Sequence, residues 1–145
     1  MTKISFFDQD RKARFPKKET KQSIMSAIAD MGLLAGDINY IFCSDDYLLK
    51  MNQEYLSHDT LTDVITFDYT EEDVLMGDIF ISLDRVCENA QLFHVKQNEE
   101  LFRVMIHGVL HLAGYKDKTK ADQTIMRQME DLLLNSFFIK TKKES

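Results

Sequence analysis

Hydrophobic residues that alternate with polar ones predict four β-strands in this chain. In the run DINYIFCS, for example, Ile38, Tyr40 and Phe42 lie two residues apart, the spacing of a strand with one buried face. The run DVITFDY is rich in β-branched and aromatic residues, which favour strands. The predicted strands are Lys3–Asp8, Asp37–Ser44, Asp63–Tyr69 and Met76–Ser82. The last two follow each other across a short acidic turn, so we expect them to be antiparallel neighbours.

Hydrophobic residues at intervals of three and four predict five helices. Gly32 and Gly36 mark the end of the first helix, Asn98 can cap the fourth and Thr119 can cap the fifth. The predicted helices are Ser23–Leu34, a second from Asp45 or Asp46 to Tyr55, Leu83–Phe93, Leu101–Leu112, and a last one that buries Ile125, Met129, Leu132 and Leu133. The fourth is hydrophobic on nearly every side, so we expect it to be a central, buried helix.

The predicted order of elements is β-α-β-α-β-β-α-α-α. Arg11–Lys21 and Ser57–Thr62 are polar and are predicted to be connections, and the chain has one proline, five glycines and no internal repeat. We therefore expect residues 1–145 to form a single α+β domain with a small mixed four-stranded sheet and about five helices.

Composition excludes several classes of protein. Of the 145 residues, 44% are hydrophobic and 29% are charged, values of a globular rather than a disordered chain. No apolar run approaches the ~20 residues of a membrane span, and the N-terminus lacks the apolar stretch of a signal peptide. Cys43 and Cys87 are far apart, which indicates reduced thiols in a cytoplasmic protein. The net charge of −6 argues against a protein that coats nucleic acid by bulk charge.

The segment HGVLHLAGYKD, residues 107–117, contains the residues of a metal site. His107 and His111 are four residues apart on the predicted fourth helix, so both imidazoles project from one face. Gly114 ends that helix, and the chain can then turn back and present Asp117 to the same ion. Two imidazoles and one carboxylate, with a fourth position open, are the ligands of a catalytic zinc site rather than a structural one.

Two alternatives remain open for this segment. A pair of histidines on a helix also occurs as packed or exposed side chains, although burying both without a role would carry a desolvation cost. The spacing is also that of the metzincin proteases, in which a glutamate follows the first histidine and is the general base. That position is Gly108 here, which argues against a protease.

Three separated motifs resemble those of the YbeY family, bacterial rRNA maturation factors that are metal-dependent endoribonucleases. His107–Tyr115 is in register with the family motif H-G-x-L-H-L-x-G-Y-D-H. The others are Asn52, Tyr55, Asp59 and Thr62–Phe67, which resemble N-x-x-Y and D-x-x-T-D-V-L-S-F, and Gly77–Ser82, which resembles G-D-I-x-I-S. The resemblance covers about residues 37–135 in the same order.

The chain departs from the family pattern at two places. The family motif ends in Asp-His, and that histidine is the third metal ligand, whereas Asp117 lies at its position here. A carboxylate is a harder ligand than imidazole and adds a negative charge. The family also has an arginine directly after the tyrosine of N-x-x-Y, where this chain has Leu56. Another cation must then meet the substrate phosphate, and Arg103 and His58 are the candidates.

The resemblance implies a metal-dependent single-strand endoribonuclease that acts in rRNA maturation and ribosome biogenesis. It would hydrolyse phosphodiesters with a metal-activated water, using one zinc ion or another divalent metal held by His107, His111 and Asp117. Its partners would be ribosomal RNA or a pre-ribosomal particle and ribosome-associated proteins, with no membrane. Alternatives are a non-catalytic ribosome-assembly factor with a structural metal, and a small metalloprotease-like hydrolase.

Roles for four further residues are hypotheses. Thr62 and Asp63 lie where a loop enters a strand, so they either bind substrate and orient water, with Asp63 as a catalytic residue, or make a turn hydrogen bond. Arg103 either acts in catalysis or forms a surface ion pair with Glu99. Asp78 either accepts a hydrogen bond from a ligand histidine or belongs to a turn at the start of a strand.

Charge is unevenly distributed along the chain. Residues 1–21 contain seven Lys or Arg and three acidic residues. This run is either a solvated face or, if it lies beside the metal cleft, a local contact for an RNA backbone. The acidic balance of the whole chain therefore predicts transient, site-directed binding of RNA.

Overall fold

In the part of the chain that the structure describes, four strands and five helices follow one another in the order that the hydrophobic pattern predicts. The computed structural model describes residues 3–55 and 62–144, with side chains as far as residue 135. The elements are β1 (Lys3–Asp8), α1 (Lys17–Asp30), β2 (Leu34–Cys43), α2 (Asp45–Tyr55), β3 (Val64–Asp68), β4 (Val74–Ser82), α3 (Leu83–Leu92), α4 (Gln97–Leu112) and α5 (Lys120–Glu144). The expected α+β class is confirmed.

The strands form one mixed sheet in the order β1-β2-β4-β3. β1 and β4 are both parallel to β2, and β3 is antiparallel to β4, with Thr66 opposite Ile79. The predicted mixed sheet and the predicted antiparallel pair are therefore confirmed. β1 and β3 are the two edges of the sheet.

The sheet has a large core on one face and a small one on the other. Alternate residues of β4 show this: Ile79 belongs to the large core with α1, α3, α4 and α5, whereas Phe80 packs with the small core under α2. α4 lies inside the large core, where ten of its residues are buried, and the hydroxyl of Tyr40 donates to the carbonyl of Met105 at 3.1 Å. The prediction of a central, buried fourth helix is confirmed.

Glycine lets α4 lie close against the sheet. A Cβ on Gly108 would lie 2.8 Å from the side chain of Ile79 in β4, and one on Gly77 would lie 2.5 Å from the carbonyl oxygen of Phe67 and 2.9 Å from Leu112. A side chain at position 108 would therefore point into the sheet, away from the histidine face of α4. This geometry strengthens the argument against a protease, because position 108 could not present a base to the histidines.

The start of α1 differs from the prediction. α1 begins at Lys17, not Ser23, because Pro16 has the fixed φ of a helix start and its carbonyl accepts from the Thr20 hydroxyl at 2.7 Å. The first turn is too polar to show helical periodicity, so part of the predicted connection Arg11–Lys21 is helical. Gly32, at φ 73°, does follow the helix.

Two other local predictions are wrong, and one is right. Gly36 lies within β2 and not at a helix end. Glycine is required there because a Cβ would lie 2.4 Å from the side chain of Met76. Asn98 is not a cap, because α4 already begins at Gln97. The hydroxyl of Thr119 does accept from the Asp122 N–H at 3.0 Å at the start of α5. Among the helices described, none combines the length and hydrophobicity that a membrane crossing requires.

Candidate metal centre

His107 and His111 project from the same face of α4, as the four-residue spacing predicts. Their Nε2 atoms are 2.9 Å apart, and their rings meet edge to face with centroids 4.5 Å apart. Both side chains are only partly exposed, at 21% and 27%. The helix therefore presents two imidazole nitrogens at one point on the surface of the core.

Asp117 reaches the same point through a turn at the end of α4. Gly114 adopts φ 99°, a left-handed conformation that favours glycine, and the N–H of Tyr115 donates to the carbonyl of Leu110 at 3.0 Å. The chain thus reverses, and Asp117 Oδ2 lies 3.3 Å from the Nε2 of both His107 and His111. The structure brings together the three residues that the sequence predicts to be ligands.

The three donor atoms lie close enough together to bind one metal ion, and two of their three separations are those of a tetrahedral site; the two Nε2 atoms, at 2.9 Å, are closer together. Each residue offers one ligand atom, and these atoms all lie within 4.8 Å of one another. Ligands at about 2.0–2.1 Å from a tetrahedral zinc ion are about 3.3 Å apart, and the Nε2–Oδ2 distances match this value. The cluster can hold a metal ion and leave a fourth coordination position to another ligand.

Glu130 is a site residue that sequence reasoning missed. Its Oε2 lies 2.6 Å from Nδ1 of His107, and its side chain is 7% exposed. The available signal was its position on α5, where an acidic residue interrupts the hydrophobic face formed by Met126, Leu133 and Leu134. That signal becomes specific only when α5 is known to pack against α4.

Arg103 pairs with α5 and not with Glu99. Its guanidinium donates to Oε1 of Glu130 at 3.0 Å and to Oδ1 of Asp131 at 2.8 Å, and its side chain is 17% exposed. The predicted surface pair with Glu99 is therefore wrong. The two carboxylates of α5 therefore occupy the Arg103 guanidinium. These contacts indicate that Arg103 joins α4 to α5 and does not bind substrate.

The environment of the two histidines separates their pKa values. Burial lowers the pKa of His107, but the hydrogen bond and charge of Glu130 outweigh burial, so the pKa is raised. Burial and the neighbouring His107 lower the pKa of His111. In the metal-free protein, His107 therefore takes up its second ring proton, and becomes cationic, at a higher pH than His111 does.

Thr62 and Asp63 line a cleft of about 700 Å³ together with the metal cluster. The remaining lining residues are Asn52, Val64, Ile65, Thr66, Asp68 and Lys118. The Thr62 hydroxyl donates to the carbonyl of Val64 at 3.3 Å, the turn contact foreseen as an alternative, and the Asp63 carbonyl accepts from the Ser82 N–H. Burial raises the pKa of the Asp63 carboxyl, and the charge of His107 opposes this shift.

Glu100 is a second acidic residue that the sequence did not single out. It is 5% exposed and lines a cavity of about 350 Å³ together with Asp63, Arg103, His107 and Glu130. Burial raises its pKa to about 7. The cavity is also lined by Asp117 and Arg127, so the metal cluster borders a pocket in which four carboxylates and two guanidinium groups meet.

Two predicted positions are not brought to the cluster, and a third cannot be placed because it lies outside the described residues. Asp78 lies within β4, where it accepts from the Asn39 amide at 3.0 Å and lines a separate cavity with α2, so both hypotheses for it are wrong. The basic run of residues 3–21 follows β1, the sheet edge opposite β3, and so does not border the cleft. His58, together with Leu56 and Asp59, lies outside the described residues.

The chain matches a family model over nearly its whole length. The family is described as Endoribonuclease YbeY, and the match covers residues 4–138.

Individual relatives and one solved structure agree with this match. An Endoribonuclease YbeY from Flavobacterium psychrophilum is 57% identical over 81% of this chain and 84% of the relative, and one from Parabacteroides distasonis is 46% identical over 90% and 93%. The solution structure of a protein from Thermotoga maritima superposes with a TM-score of 0.69, at 27% identity, over 98% of this chain and 93% of that one.

Proposed function

This chain belongs to the YbeY endoribonuclease family, and we propose that it is a metal-dependent, single-strand endoribonuclease that acts in rRNA maturation and ribosome biogenesis. The observation that carries the proposal is the cluster of His107, His111 and Asp117 at the wall of an open cleft. In this proposal residues 1–145 form one catalytic domain that works in the cytoplasm on ribosomal RNA or a pre-ribosomal particle.

We propose one zinc ion per chain at this cluster. Nitrogen and oxygen ligands at tetrahedral separations suit zinc, although the Asp117 carboxylate is harder than the family histidine and also suits other divalent ions. A bound zinc ion supplies Lewis acidity, which activates water and polarises a phosphoryl oxygen at neutral pH. The chain itself contributes the donor atoms and the walls of the cleft.

The cleft residues can handle the proton and charge of phosphodiester hydrolysis. Asp63 lies beside the cluster with a raised pKa, so its carboxyl is suited to accept a proton from the attacking water and return it to the leaving oxygen. Lys118 also lines the cleft and supplies a cation for phosphate, while Thr62 can donate a hydrogen bond. Arg103 is already bonded to two carboxylates and takes no substrate role in this proposal.

A single strand fits this site better than a duplex. The cleft runs between the end of α4 and the edge strand β3, and the metal cluster forms part of its wall. The scissile phosphate must therefore enter the cleft to reach the cluster. An unstacked strand can bend into such a cleft, whereas duplex RNA is bound mostly at its wide minor groove and its phosphates.

The proposal is tested by cleavage of a single-stranded rRNA fragment with purified protein freed of contaminating nucleases. We expect the zinc-loaded wild type to cleave, and the double variant His107→Ala, His111→Ala to be inactive. The matched control is His94→Asn, which removes an exposed histidine outside the cluster and suits the positive φ of 56° at that position. Cleavage that survives unchanged in the double variant would refute the proposal.

A further inference from the structure

We propose that Glu130 is a positioning residue that orients His107 for metal binding and makes the affinity of the centre depend on α5. The inference rests on the proposed metal centre but concerns a residue outside its ligand set. Its starting point is the 2.6 Å contact between Oε2 of Glu130 and Nδ1 of His107.

This contact decides which nitrogen of His107 is free for a metal ion. A neutral imidazole carries one N–H, and a carboxylate at Nδ1 favours the tautomer with its proton there. Nε2 then keeps its lone pair, and this atom lies 3.3 Å from Asp117 Oδ2 and 2.9 Å from His111 Nε2. The nitrogen that Glu130 leaves free is therefore the one that belongs to the cluster.

The burial of Glu130 indicates a role beyond holding two helices together. Its side chain is 7% exposed, and a buried carboxylate carries a high desolvation cost unless it is paired. Arg103 supplies that pairing through Oε1, which leaves Oε2 for His107. Asp131, which is 52% exposed, already links Arg103 to α5, so the buried carboxylate adds a contact with His107 that helix pairing does not require.

Glu130 also connects the centre to an element outside the segment that contains the ligands. The three proposed ligands lie within residues 107–117, whereas Glu130 belongs to α5 and reaches His107 only when α5 packs against α4. Carboxylates that hold ligand histidines raise the basicity of the imidazole and fix its ring. A change in the position of α5 should therefore change the affinity of the site for its metal ion.

The test compares zinc affinity in Glu130→Gln and Asp131→Asn by competition with a chromophoric chelator. Both variants remove one carboxylate from Arg103, but only the first changes the partner of His107. We expect Glu130→Gln to weaken zinc binding by about 10–100-fold, and Asp131→Asn to stay within about two-fold of the wild type. Cobalt loading gives a second measurement, in which only Glu130→Gln is expected to change the visible absorption spectrum.

A variant that keeps the charge separates orientation from folding. Glu130→Asp retains a carboxylate for Arg103 but shortens the side chain, so it should also lose zinc affinity while its metal-free form unfolds at nearly the wild-type temperature. Wild-type affinity in folded Glu130→Gln and Glu130→Asp would overturn the inference, as would an equal loss in Asp131→Asn. A wild type that binds no zinc would overturn the metal centre itself, and the role of Glu130 with it.

Discussion

At the scale of single residues, Glu100 is a carboxyl group whose charged form is disfavoured by the fold. Folding raises its pKa from 4.5 to about 7, chiefly by burial. Between these values the unfolded chain loses the proton first, so the folded state loses stability as the pH rises. We predict that Glu100→Gln, which cannot ionise, gains about 3 kcal/mol relative to the wild type between pH 4 and pH 8.

Urea denaturation of the metal-free protein across this pH range measures the effect, because a bound cation would favour the ionised carboxylate. The matched control is Glu99→Gln, which removes a charge from the same turn of α4 but does not line the cavity. A stability difference between Glu100→Gln and the wild type that does not change with pH would contradict the prediction.

Sequence alone could place three site residues but not the carboxylates around them. His107, His111 and Asp117 lie on one helix and the turn after it, so helical geometry and one glycine determine their proximity. Glu130 reaches the site only through the packing of α5 against α4. Glu100 lies on α4 itself, two turns before His107, but the cavity that buries it forms only when α5 and Asp63 pack around that helix. The hypotheses for Asp78 were wrong for a related reason. Alternation along β4 places Asp78 on the face opposite Ile79, but only tertiary packing shows that α4 covers the Ile79 face.

At the scale of secondary-structure elements, the contact between α4 and β4 holds the metal helix in place. The Cβ of an alanine at position 108 would lie 2.8 Å from Cγ2 and 2.9 Å from Cδ1 of Ile79, which is fully buried. Overpacking costs about 1–3 kcal/mol, whereas alanine gains about 1 kcal/mol over glycine in a helix. We predict that Gly108→Ala lowers the free energy of unfolding by about 1 kcal/mol.

Urea denaturation of Gly108→Ala, Ile79→Val and the double variant tests the cause. Valine at position 79 removes Cδ1, one of the atoms that the new Cβ would contact. The double variant should therefore lose less free energy of unfolding than the two single variants lose together. Strict additivity would show that the clash is not the origin of the loss.

Element types followed from periodicity, whereas element boundaries did not. The hydrophobic period identified β2, β4 and α4 because each buries a full face or more. The polar first turn of α1 carries no such pattern, and its start depends on Pro16. Gly36 resembled a helix stop, yet its lack of a side chain serves the close pairing of β2 with β4.

At the scale of the whole molecule, the metal centre lies beside the core and contributes little to it. The large core combines strands and helices through residues other than the three proposed ligands. We therefore predict that chelation leaves the far-ultraviolet circular dichroism unchanged, lowers the melting temperature, and increases hydrogen exchange mainly within residues 113–130. Zinc stabilises the folded state because it binds that state preferentially, so the melting temperature should rise with the concentration of added zinc.

Loss of helical structure on chelation would contradict this prediction and favour the alternative of an assembly factor whose metal is structural. The control is the double variant His107→Ala, His111→Ala, whose exchange pattern should not respond to the chelator. The same experiment therefore distinguishes a metal that acts on substrate from one that holds the fold.

The shortness of the segment from His107 to Asp117 has a consequence for how the centre forms. The last donor follows the first by ten positions, and loops of this length close in about 10–100 ns at a small entropic cost. Ion capture therefore needs only α4 and its terminal turn, while the link to Glu130 waits for the C-terminal helix to dock. A nascent chain would thus bind its metal weakly at first and more tightly once α5 has been made and has docked, which couples full loading to the folding of this domain.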